Sequence, residues 1–179
     1  HAEITLETNP GTVNADTLRA MVDRGVNRLS LGIQTFNKEH AKRLGRGHTV
    51  QQARTLVNLA STLGFRTWSM DLMFALPHQT EQDLANDLEE ILAVEPPHIS
   101  LYGLSIEPKT PFERASQAGT LQIAPPELWR HMYDRIVNTL ESNGWERYEV
   151  SNFARPGHRA VHNEAVWRGG HYAGLGPGA

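Results

Sequence analysis

The tightest constraint on this chain is a repeated unit: a short apolar strand ending on a polar residue, then a helix, then a glycine that leads into the next strand. The strands are ITLE, RLSLGIQ, TWSMD and HISLYGLS, and they end on Glu7, Gln34, Asp71 and Ser105. Helix–glycine–strand junctions recur at Gly25-Val26, Gly64-Phe65 and Gly144-Trp145. Strands that alternate with helices of this length pair in parallel through right-handed crossovers. Their C-terminal ends then share one rim, where α/β barrels assemble their binding sites.

The pattern predicts individual elements. Strand one covers residues 3–7 and leads through Asn9-Pro10-Gly11 to a helix with Leu18, Met21 and Val22 on one face, closed by Gly25. Strand two covers 28–33. A short helix follows at 38–44, then a longer one from Thr49 with Leu56, Leu59, Ala60 and Leu63 inward and Gly64 as its stop. Strand three, 66–72, precedes a helix opened by Thr80 and Asp83, a variant of the capping box. Strand four, 98–104, opens a long loop holding Pro108, Pro111 and Gly119, a length more typical of functional loops. A helix from Pro126 carries Leu128, Trp129, Met132, Tyr133, Ile136 and Leu140, and a short strand is expected at 145–150. No GxGxxG turn marks a dinucleotide crevice, so a barrel or partial barrel fits better than an open sheet; a flavodoxin-like sheet is the alternative.

With 179 residues, 39% of them hydrophobic and 21% charged, the chain can bury one substantial core. A formal charge of -3 offers no basic face for nucleic acid or anionic lipid. No apolar run approaches the roughly 20 residues of a membrane span, and a soluble, cytoplasmic protein is expected. The chain has no cysteine. Disulfides, a thiol nucleophile and any thiolate-held zinc or iron–sulfur cluster are therefore excluded within these residues. The abrupt strand after His1 and the glycine-rich run 174–179 suggest an internal segment of a longer protein.

Glu7, Gln34, Asp71 and Ser105 should converge at the rim, with Arg46, just beyond strand two, reaching over the same mouth. Each by itself could equally be a helix N-terminal contact or a solvated loop residue. Together, two carboxylates, an amide, a hydroxyl and a guanidinium suit an amino-acid-bearing nucleoside: carboxylates accept from ribose hydroxyls and ammonium, and arginine pairs a carboxylate as a fork. A barrel hydrolase or aldolase using Glu7 and Asp71 as acid and base is another reading. It lacks a lysine at any strand end, since Lys38, Lys42 and Lys109 fall in helices or loops.

Five segments in order, Glu7-Thr8-Asn9-Pro10, the NRLSLGIQTF run from Asn27 to Phe36, Arg43-Leu44-Gly45-Arg46, the DLMFALP run from Asp71 to Pro77, and Glu107-Pro108, resemble the radical SAM proteins of the oxygen-independent coproporphyrinogen III oxidase group. The resemblance implies a partial (β/α)6 TIM-like barrel. This chain would supply about four of its βα units in residues 1–124 and the start of a family-specific C-terminal region in 125–179. It further implies that Glu7, Gln34, Arg46, Asp71 and Ser105 contact S-adenosylmethionine and that Tyr102 lies near the adenine. The [4Fe-4S] cluster of such proteins is held by a CxxxCxxC loop, which would lie upstream of this chain, so these residues alone are expected to be inactive.

The C-terminal residues Asn152-Phe153-Ala154-Arg155-Pro156-Gly157 and His162-Asn163-Glu164-Ala165-Val166-Trp167 are similar to the haem-chaperone branch of that group, whose HNxxYW pattern is broken here at Val166. That branch implies binding of haem or a porphyrin and its transfer to an acceptor protein. Decarboxylation of coproporphyrinogen III to protoporphyrinogen IX is the alternative. His162 is the candidate haem ligand, with His158 and His171 nearby, unless it hydrogen-bonds a backbone carbonyl to shape the turn. A metal site from His158 and His162 would need a helix through both, which Pro156-Gly157 disfavours. His40, His48, His78, His98 and His131 read as surface or packing residues. Trp68 and Trp129 read as core; Trp145 and Trp167 as core or porphyrin-stacking.

Overall fold

The computed structural model describes residues 2–176; His1 and residues 177–179, the end of the glycine-rich run, lie outside the described residues. The chain order is β1 (Thr5–Thr8), α1 (Ala15–Asp23), β2 (Arg28–Gln34), α2 (Lys38–Arg43), α3 (Val50–Thr62), β3 (Thr67–Phe74), α4 (Glu81–Val94), β4 (His98–Gly103), α5 (Pro111–Gln117), α6 (Pro126–Ser142), β5 (Glu146–Arg147), β6 (Asn152–Ala154) and α7 (Val161–Trp167).

Helix starts follow local chemistry. Asn14 caps α1 by accepting from the Thr17 amide, and reciprocal capping boxes, Thr49 with Gln52 and Thr80 with Asp83, open α3 and α4.

The sheet order is β1-β2-β3-β4-β6-β5, with β1 to β4 parallel. Sequential order without a reversal is a barrel arrangement and is not the flavodoxin order. One face of the sheet carries Leu29, Leu31, Ile33, Met70, Leu72, Phe74, Ile99 and Leu101, all buried in a core shared with Leu18, Leu56, Leu84, Leu88, Met132 and Ile136 of the helices. The alternate residues form a polar face, in layers set by register: Glu7, Ser30, Ser69 and His98, then Gly32, Asp71 and Ser100. This half-barrel lumen is what the rim residues overlook.

Two expectations are corrected. The region after β4 is not one long loop: Thr110 and Pro111 start α5. The strand expected at 145–150 shrinks to β5, and a further strand, β6, follows it; both pair antiparallel. Its backbone reverses at once, with the Tyr148 amide donating to Asn152 carbonyl oxygen, leaving no length for the crossover that parallel pairing needs. Helix α7 begins at Val161 and includes His162 but not His158, so no helix runs through both, as Pro156-Gly157 led one to expect. Trp145 is core, its indole N–H donating to the Pro96 carbonyl at 2.8 Å, whereas Trp167 is 64% exposed. No helix among the described residues is long and apolar enough to cross a membrane.

Candidate functional site

A cavity of about 230 Å³ occupies the lumen. Its walls include Glu7, Ser30, Asp71, Tyr102 and His98, and its floor includes Ala160, His162 and Asn163. Glu7, Asp71 and Tyr102 are thus brought together from three strands, although Asp71 lies inside β3, which runs on to Phe74, and not at its end. The Asp71 carboxylate is held from both sides: Ser30 Oγ donates to one oxygen at 2.6 Å and Ser69 Oγ to the other at 3.0 Å.

The second part of the rim lies over the end of β2. Gln34 ends that strand at φ 70°, beside a register shift between Gly32 and Gln34, and Ala75, just past β3, has φ 56°. Left-handed backbone at non-glycine residues costs free energy and concentrates at functional sites. Asn9 faces Gly32 so closely that an added Cβ would sit 2.5 Å from its Oδ1 and 3.2 Å from Gln34 Nε2. Arg46 Nη1 donates to the same Asn9 oxygen at 3.1 Å. Gln34, Arg46 and Asn9 therefore form one polar cluster above the glycine. Asn9 stood in the β1 loop of the sequence, but nothing there marked its side chain.

Ser105 is not gathered in. It lies two residues past β4, is exposed, and donates to Glu107 Oε1 at 2.8 Å beside a separate depression lined by Leu44 and Phe112.

His162 lies at the opposite mouth, under the strand starts. The Val161 amide donates to Glu3 Oε1 at 2.9 Å, His158 Nδ1 is 3.0 Å from Thr67 Oγ1, and Arg28 Nη1 donates to the His158 carbonyl at 3.2 Å. Residues 158–163 thus close the bottom of the lumen, and exposed His162 meets Tyr172 edge-on with ring centroids 6.1 Å apart.

Burial governs the charges below the rim. It lowers the Arg28 guanidinium from its ordinary range, while Glu3, Tyr148 and Asp71 draw it back up. His98, read from sequence as a surface or packing residue, lies in the lumen wall; burial, with Arg28 and His158 adding to it, lowers its imidazole to about 3. Burial also raises the Tyr102 hydroxyl, partly offset by a Ser100 hydrogen bond.

Residues 1–91 match the sequence profile described as the Radical SAM superfamily. The chain belongs to the radical SAM superfamily. It is 42% identical over 180 residues to "Heme chaperone HemW" of Escherichia coli (strain K12), across 99% of this chain and 46% of that protein. It is also 42% identical over 178 residues to "Radical S-adenosyl methionine domain-containing protein 1, mitochondrial" of Danio rerio, across 99% and 40%. Among solved structures, the coproporphyrinogen III oxidase HemN of Escherichia coli, described as a radical SAM enzyme, superposes with a TM-score of 0.76 at 26% identity, across 94% of this chain and 38% of that one. The chain spans about half the length of the curated relatives it matches.

Radical SAM chemistry uses S-adenosylmethionine together with a [4Fe-4S] cluster. The first fits these residues: carboxylates from β1 and β3, an aromatic hydroxyl from β4, and an amide–guanidinium cluster above a glycine that leaves no room for a Cβ. The second does not, because the chain has no thiolate, and no cluster of three or more His, Asp or Glu suited to a metal occurs among the described residues.

Proposed function

We propose that this chain is the S-adenosylmethionine-holding part of a haem chaperone of the HemW type. One observation carries the reading: Glu7, Asp71 and Tyr102 share one lumen cavity, and on the same rim Arg46 bonds Asn9 over Gly32, with the Gln34 amide beside that glycine. In this reading Glu7 and Asp71 accept from the ribose hydroxyls and the ammonium, Arg46 and Gln34 bind the carboxylate, and Tyr102 covers the adenine. When bound beside a cluster held by residues outside this chain, S-adenosylmethionine supplies the superfamily's radical chemistry. The chain's own part is to bind, orient and exclude water.

Haem is assigned to the lower face, where exposed His162 of α7 meets Tyr172 edge-on and Trp167, at the end of the same helix, is also exposed. An acceptor protein and a cytoplasmic setting belong to the same proposal. The superposition on HemN favours a second reading, oxidation of coproporphyrinogen III. To separate them, the anaerobic full-length protein is given haem and, separately, coproporphyrinogen III with S-adenosylmethionine. The chaperone reading expects a Soret shift that His162→Ala abolishes and no porphyrin product. Formation of protoporphyrinogen IX, or an absent Soret shift, would overturn it.

A further inference from the structure

A continuous line of hydrogen bonds crosses the lumen wall, and its two ends fix the proton of every member. At the lower end the Ala160 amide (3.4 Å) and the Asn163 side-chain amide (3.5 Å) both donate to Tyr148 Oη. The one proton of that hydroxyl is left for His98 Nε2, 2.7 Å away. At the upper end the Asp71 carboxylate only accepts, and it takes the Ser69 proton at 3.0 Å. Ser69 Oγ, having given its proton away, accepts from His98 Nδ1 at 2.8 Å. His98 is therefore the neutral Nδ1–H tautomer, set by the groups that flank it. Burial keeps it neutral, since the imidazole titrates only near 3.

We infer that Tyr148, His98 and Ser69 are positioning residues that hold the Asp71 carboxylate for the adenosine-bearing ligand and tie it to the start of α7, Ala160–Asn163, beneath the lumen. Each member is over-determined by its neighbours, so the carboxylate cannot rotate without breaking a bond to Ser30 or to Ser69. The inference also gives Asn163, singled out by its place in the HNxxxW segment, a task that needs no haem. The effect on ligand binding rests on the reading of Asp71 as an S-adenosylmethionine contact, whereas the tautomer does not.

The test uses the full-length, cluster-loaded protein with ¹⁵N-labelled histidine. Long-range proton–nitrogen spectra should show a buried histidine, absent in His98→Asn, that carries its proton on Nδ1 and does not titrate above pH 5. In equilibrium dialysis with S-adenosylmethionine, Tyr148→Phe and His98→Leu should bind about two- to tenfold more weakly, the worth of one net hydrogen bond. His98→Asn, which keeps a donor toward Ser69, should recover most of that loss, and thermal melts should show all three folded. An Nε2–H tautomer would overturn the chain of bonds whatever the variants do. Wild-type affinity in Tyr148→Phe and His98→Leu, with Asp71→Ala weakened, would overturn the positioning role. An unweakened Asp71→Ala would instead count against the site itself.

Discussion

Asp87, buried in α4, accepts a 2.8 Å hydrogen bond from the hydroxyl of Thr35, a residue 52 positions earlier at the end of β2. Its second oxygen takes the Phe36 amide at 2.7 Å. One carboxyl group on the helical layer thus holds the turn on which Gln34 leaves its strand in the left-handed conformation.

That carboxyl has its own signature in pH. Burial raises it from 3.8 to about 6, against the two hydrogen bonds. A carboxyl with a raised folded pKa contributes most stability below its unfolded value and loses that contribution as pH climbs through the folded one. Relative to Asp87→Asn, the native protein should lose up to about 3 kcal/mol between pH 4 and pH 7. Urea melts of both proteins across that range check it, and a constant difference would contradict it.

His98 works in the opposite direction. Its folded pKa of about 3 lies below the ordinary 6.5, so the stability it contributes is complete above pH 6.5 and is lost as pH falls toward 3. Acid titration of stability should show up to about 5 kcal/mol of such loss in the native protein, and His98→Asn should remove that slope.

Gly32 makes the rim cluster possible. In Gly32→Ala the new Cβ would meet Asn9 Oδ1 at 2.5 Å and displace the bond from Arg46. Affinity for S-adenosylmethionine should fall by about 1–3 kcal/mol, as for a misplaced charged hydrogen bond, while the melting temperature changes little because the clash falls on the end of the Asn9 side chain and the core face of β2 is untouched. Isothermal titration together with thermal melts separates the two.

The parallel half of the fold was legible because burial on one face and polarity on the other leave a period of two in the strands, and because Thr49 and Thr80 announce their helices. Three elements were not. Helices α5 and α7 bury no residue, so neither has an apolar stripe to read, and α7 has no side-chain cap. Strand β6 is too short for a pattern and is placed by the hairpin ahead of it. At the site, polar residues that close an apolar run, Glu7, Gln34 and Asp71, were legible even though β3 continues past Asp71, and the polar residues within the runs were not. A lone histidine or serine among Ile99, Leu101 and Met70 looks like packing until the neighbouring strands set Ser69, His98 and Asp71 side by side.

The most direct measurement is the equilibrium affinity of the full-length protein for S-adenosylmethionine, in the native form and with Asp71→Ala or Arg46→Ala. Each variant should lose about 1–3 kcal/mol of binding, as expected for a charged hydrogen bond, while remaining folded. Unchanged affinity in both would contradict the assignment of this rim to S-adenosylmethionine.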